Sequence, residues 1–226
     1  MREKMIKNNL VKRLLIYMAG VFIMAMGLAL YLQSGLGFPV NSSVAYVLGQ
    51  IISLKYSYSL IIVNVLLVIV QILILRRNFK PLQLLQIPAA VVLGYFVDLC
   101  CRITDAIVPG NYFASLGILV MGILLLSLSI SLTVNARLVP MPLEGLALAV
   151  TQSIGKYPLH KVKRVLDVCI VAFTVAVSFT ALGRLEGARE GTVLTALTVA
   201  PIMEFFTQRL KPMYRWAGCG YEEKTN

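Results

Sequence analysis

Apolar stretches of about 20 residues recur along the whole chain, and they limit what it can fold into more than any other feature. They run from Leu14 to Leu32, Tyr58 to Leu75, Leu82 to Ile103, Tyr112 to Val134, His160 to Leu182 and Thr192 to Arg209. In a bilayer such a segment is a helix, because only there do all its backbone groups satisfy one another without water. The expected fold is therefore all-α, a polytopic helical membrane protein with about six spans and the lipid bilayer as its surroundings. Composition agrees: 14% of residues are charged, 58% are hydrophobic and mean hydropathy is +0.82. A soluble domain carries about a quarter charged residues.

The net charge of +11 invites a nucleic-acid reading. The basic residues, however, are scattered over turns that flank apolar helices, where they set orientation instead. With the N-terminus inside and six crossings, Arg2 to Arg13, Arg76 to Lys80, Arg137, Lys156 to Arg164 and the tail fall on the cytoplasmic side. Only Lys55, Arg102, Arg184 and Arg189 fall outside. The bias survives only if two shorter segments, Val40 to Leu54 and Arg137 to Gln152, return to the side they came from. Each is therefore expected to be a re-entrant or interfacial helix. The resulting order is a basic cytoplasmic N-terminus over 1–13 and a first membrane repeat over 14–103. An external loop over 104–111, a second repeat over 112–209 and a cytoplasmic tail over 210–226 follow. The first apolar run is too long for a signal-peptide core and is read as a retained span.

Both short segments begin at proline: Gly37-Phe-Pro39-Val-Asn41 and Pro140-Met-Pro142-Leu-Glu144-Gly145. Aligning Pro39 with Pro142 brings Asn41 onto Glu144 and Asn64 onto Asp167. A three-residue adjustment brings Asp98 onto Glu204. Each half thus reads span, short element, span, span, a 3+3 inverted repeat, since an odd number of spans turns the second half over. In that topology Asn41, Asn64 and Asp98 form an outer trio, and Glu144, Asp167 and Glu204 an inner acidic one. Ionisable residues at membrane depth are costly and are candidates for function. Structural alternatives stand beside this reading. Asp167 lies three residues from Arg164 and Glu204 five from Arg209, so each acid suits an ion pair. Glu144 suits a helix cap. Pro88 and Pro201 are expected to kink their helices.

The segments Arg13-Leu-Leu-Ile-Tyr17, Leu36-Gly37-Phe-Pro39, Pro142-Leu-Glu144-Gly145, Lys163-Arg164-Val-Leu-Asp167, Arg189-Glu190-Gly191-Thr192 and Pro201-Ile202-Met203-Glu204 resemble the YczE/YyaS/YitT-like integral membrane proteins of Gram-positive bacteria. That resemblance, over about residues 13 to 209, implies a multi-pass protein of the bacterial plasma membrane with both termini cytoplasmic. It implies no substrate and no catalytic residue.

The leading functional expectation is a small-molecule transporter or exporter. Its polar site would be built from Glu144, Asp167, Glu204, Asn41, Asn64 and Asp98, with Arg137, Arg164 and Arg189 as counter-charges. Its coupling would run through protons or a cation. The alternative is a substrate-binding subunit of a multi-component transporter, acting as a homo-oligomer or with a partner subunit. An intramembrane enzyme or a regulatory scaffold ranks below these, because the chain holds no paired-His metal motif, serine elbow or Cys–His pair. No cofactor and no metal is expected. The four cysteines have neither metal nor redox spacing.

Overall fold

Helices start and stop where proline, glycine and the basic turns dictate. A computed structural model describes residues 2–184 and 186–218, and side chains from residue 9 onward. The N-terminal basic segment is not separate from the first span: α1 is one helix from Arg2 to Ser34, with its apolar part over Asn9–Ser34. After a short extended passage, α2 (Val40–Ile51) begins behind Pro39, and α3 (Tyr56–Leu75) follows closely. Two 3-10 turns over Arg76–Asn78 and Pro81–Leu85 lead into α4 (Gln86–Thr104). Pro88 therefore falls in the first turn of α4, where a missing N–H costs nothing. The second half repeats the order: α5 (Tyr112–Ala136), α6 (Pro142–Ile154), α7 (Leu159–Leu182) and α8 (Glu190–Arg209). Gly155 and Gly183, both left-handed, close α6 and α7.

Five of the described helices are long and apolar enough to cross a membrane: α1, α3, α4 with its preceding turn, α5 and α7. The protein is thus a multi-pass helical membrane protein. The expected sixth span, α8, has the length at 20 residues but carries Glu190, Glu204, Pro201 and several threonines, so its apolarity falls short. At 12 and 13 residues, α2 and α6 reach about 18–20 Å, well under the ~30 Å of a hydrocarbon core.

Helices α1 and α5 form the centre and run antiparallel. Gly20 of α1 meets Ser129, Leu132 and Thr133, while Gly27 meets Gly122 and Leu126. In lipid no water-exclusion force draws helices together, so close backbone approach at small residues supplies the packing. Helix α4 lies against α1, with Phe22 edge-on to Phe96 at 5.4 Å. Helix α8 lies against α5 in the corresponding way. Each short helix packs on a span of the other half: α2 on α7, α6 on α3. One pairing has no counterpart. Helices α3 and α4 pack tightly, with Gly94 of α4 fitted against Ile61, whereas α7 and α8 form no packed interface.

The sequence marks 210–226 only as a cytoplasmic tail, with no helix in it. Instead α9 (Lys211–Trp216) folds back onto the bundle, with Tyr214 fully buried and its hydroxyl 2.8 Å from Ser131 Oγ. Lys12 sits over the Trp216 ring at 4.0 Å. Residues 219–226, including Cys219 and Lys224, lie outside the described residues, as does Met1, and so do the side chains of Arg2, Lys4 and Lys7.

Candidate functional site

Two chain breaks, one before α2 and one before α6, build the site. The first is held shut. Phe38 N–H donates to the Gly187 carbonyl at 2.9 Å, and Gly191 N–H donates to Leu36 at 2.8 Å. The Thr192 hydroxyl donates to the Phe38 carbonyl at 2.8 Å. Gly37 has φ +119, and a Cβ there would come within 2.9 Å of Thr192 Oγ1, so the approach depends on glycine. The Phe38 ring stacks on Tyr46 at 4.5 Å and lies 5.2 Å from Tyr56, which plugs this end of the bundle.

The second break is open. Helix α5 ends at Arg137, a non-glycine residue at φ 50, whose carbonyl accepts from Arg13 Nη2 while Ala136 accepts from Arg13 Nε at 2.8 Å. A cation at a helix C-terminus meets the free carbonyls there. Residues 137 to 144 then line a cavity of about 830 Å³. The start of α6 is braced from below by a buried glutamine pair. Gln71 Nε2 donates to Gln86 Oε1 at 3.1 Å and to the Pro142 carbonyl at 2.9 Å, and Gln86 Nε2 returns a bond of 3.2 Å. Gly145 leaves the room for them, since a Cβ would lie 2.6 Å from Gln71 Oε1.

Of the residues singled out from sequence, Asn41, Asn64, Glu144, Asp167 and Arg137 all line this cavity. Asn41 Nδ2 donates to Asn64 Oδ1 at 3.1 Å, which ties the start of α2 to α3. Glu144 does cap its helix: Met141 N–H donates to Glu144 Oε2 at 3.1 Å. Burial pushes the Glu144 carboxyl up from its ordinary value, with the Lys163 ammonium and the Met141 N–H opposing the rise and Asp167 adding to it. Asp167 pairs with Lys163 at 3.7 Å, not with Arg164, and its Oδ1 is buried without a partner.

Four expected site residues lie elsewhere. Asp98 is drawn into ion pairs with Arg102 at 2.8 Å and Lys55 at 3.7 Å, beside a smaller cavity of about 360 Å³. Glu204 sits on the exposed face of α8, one residue past the cavity-facing Met203, and makes no ion pair among the described residues. Arg164 is likewise one position past Lys163 and points outward. Arg189 bonds the Gly35 carbonyl at 3.0 Å and pairs with Glu190. The inner and outer trios therefore do not form; two residues of each meet in one cavity instead.

Sequence reasoning missed two groups. Lys163 belongs to the site, and its i, i+4 spacing to Asp167 was the available signal. Tyr17 of α1 carries a buried hydroxyl without a partner, within electrostatic reach of Glu144. No sequence pattern marked it. Among the described residues, no group of three or more His, Cys, Asp or Glu side chains is placed to hold a metal ion.

No protein of curated function and no solved structure matches the chain. A family model does match, over residues 11–208, from the first third of α1 to the last turn of α8, so it takes in both breaks and every side chain named in the cavity. The chain belongs to that family, a family of unknown function designated DUF6198.

Proposed function

We propose that the protein is a carrier rather than an enzyme: a small-molecule transporter of the bacterial plasma membrane whose substrate site is the cavity between two inverted halves. One observation carries this reading. Both short helices begin at the same cavity, and Asn41, Asn64, Glu144 and Asp167 converge there from α2, α3, α6 and α7. Broken helices facing a shared polar cavity at a repeat interface are a recurring transporter plan, because freed backbone groups can be satisfied by a ligand.

The inverted arrangement, with α8 as the sixth crossing and both termini cytoplasmic, draws support from matched contacts. The offset that carries Pro39 onto Pro142 also carries Gln71 onto Thr174. Gln71 braces α6, and Thr174 meets Ser43 of α2 with its hydroxyl at 3.3 Å. The shifted offset that carries Asp98 onto Glu204 carries Gln86 onto Thr192: Thr192 bonds the Phe38 carbonyl at the first break, and Gln86 holds the Gln71 that bonds the second. The first break is clamped and the second open, as alternating access requires of any one conformer. Within the family, the likeness to YczE/YyaS/YitT-like proteins belongs to this same reading and adds no substrate.

Ligands picked by thermal stabilisation of the purified chain provide the test, followed by flux in vesicles at two pH values. Transport that ignores pH and survives both Glu144→Gln and Asp167→Asn sinks the mechanism. The second reading, a membrane subunit with a partner, is favoured by the sparse burial of α7, which covers 11% of its spanning window. Copurification with an ATPase module decides for it.

A further inference from the structure

The transport reading leaves the substrate class open, and the sparse contact between α7 and α8 bears on it. In the first half, α3 and α4 close on each other through Gly94. In the second half the corresponding seam is unclosed, and the cavity lies behind it: Lys163 and Asp167 on the α7 side, Ala196, Ala200 and Met203 on the α8 side. Ala196 and Ala200 line the cavity from the α8 side and keep much of their surface exposed. The exposed faces of the two helices are apolar: Val165 and Val168 on α7, and Val193 and Leu197 on α8, the last 71% exposed. The seam between α7 and α8 is therefore the side of the cavity on which two neighbouring helices do not close on each other.

Its interior is segregated. Met24, Leu28, Leu126, Ile130 and Val199 give apolar walls, while the polar groups gather at the two chain breaks. There the charges are of both signs, Glu144 and Asp167 against Lys163 and Arg137. Asn64 is 1% exposed, and its amide nitrogen donates to no group among the described residues. That unmatched donor and the orphaned Asp167 Oδ1 call for a ligand group that can accept and donate. The volume lies at the upper end of the roughly 300–1,000 Å³ range of small-molecule sites.

The geometry points to a single-chain amphiphile with a zwitterionic head as the ligand, entering from the bilayer between α7 and α8. The chain lies along Ala196, Ala200, Val199 and Met203, and the head reaches Glu144, Asp167, Lys163 and Asn64. This rests on the transport reading for its direction of use, but binding is separable from flux.

The test uses the full chain in phosphatidylcholine nanodiscs, with Trp216→Phe to remove the sole native tryptophan. Met203→Trp reports from the cavity and Leu197→Trp from the outer face of α8. The probe is lysophosphatidylcholine brominated at mid-chain. Expected is saturable quenching of the Met203→Trp signal, with at least a fivefold lower half-point than the non-saturating quenching at Leu197→Trp. Ala200→Phe, at an exposed position that tolerates bulk, removes the saturable part while the thermal unfolding midpoint holds. Parallel, non-saturating quenching at both reporters overturns the inference. So does displacement by glycerophosphocholine, the same head without a chain, at a half-point as low as the lysolipid's own, since the ligand is then a polar solute. Equal binding of brominated lysophosphatidylglycerol overturns the zwitterionic head. Leu197→Trp left unquenched by brominated bilayer phospholipid means that protein covers α8, which also overturns it. Saturable amphiphile binding without flux leaves this inference standing and removes the transport reading; flux of a polar solute without such quenching does the reverse.

Discussion

Glu144 holds its own helix start and also faces the cavity, so its two roles can be separated by substitution. Glutamine still accepts from Met141 N–H, as capping-box glutamines do, whereas alanine loses the bond and is expected to cost about 1 kcal/mol. Because burial raises the carboxyl above its ordinary value of 4.5, the native protein holds that proton more tightly than the unfolded chain does. The stability this gives is complete below 4.5 and falls as pH climbs through the raised value. Melting curves of the native protein and Glu144→Gln should therefore diverge with rising pH above 4.5, the native protein losing more. Arg13→Ala removes both bonds that hold the end of α5 and frees the strained Arg137 backbone. A loss of about 1.5–3 kcal/mol is expected in thermal unfolding, as for hydrogen bonds to charged groups. At this scale sequence was readable in part. The prolines marked where Glu144 and Asn41 had to sit. Helix phase was not readable, because a span that is apolar on every face has no direction to assign. For that reason the sequence points to Arg164 where Lys163 faces the cavity, and to Glu204 where Met203 does.

Elements meet through small residues and buried amides, and both can be tested. Gln71→Leu strands Gln86 in a buried site and withdraws the brace from the Pro142 carbonyl, with an expected cost of about 1–3 kcal/mol. Gly145→Ala should cost a similar amount by driving a methyl into the same pair, and Gln71→Leu with Gly145→Ala should cost less than the sum of the two. Denaturation of each variant in one detergent checks both. The short helices were legible from proline spacing and charge bias, and so were five of the spans. Nothing in the tail announced α9, because the contact between Tyr214 and Ser131 spans 83 residues and has no local pattern. Asp98 carried its local explanation in plain view: Arg102 stands four residues on, and the ion pair it makes is the ordinary outcome on a helix surface.

For the molecule as a whole, the six-crossing topology is open to direct measurement. Impermeant thiol reagents applied to cysteines placed singly at Asn78 and Gln152 in a background without native cysteines should label both from the same side, and one at Ser53 from the other. Labelling of Asn78 and Gln152 from opposite sides would refute the return of α6. The clamp at the first break has a consequence for how the chain is made. Thr192 and Phe38 are 154 residues apart, yet the entry to α2 is held by bonds to Gly187, Gly191 and Thr192. At about 5–20 residues per second of synthesis, the ribosome needs roughly 8–30 s to supply the partners after Phe38 has emerged. During that interval the Leu36–Phe38 backbone must find substitutes among lipid headgroups, water or an insertion chaperone. The first half of this protein is therefore finished last, and ribosome-bound chains stalled before residue 187 should be the ones most readily captured by quality control.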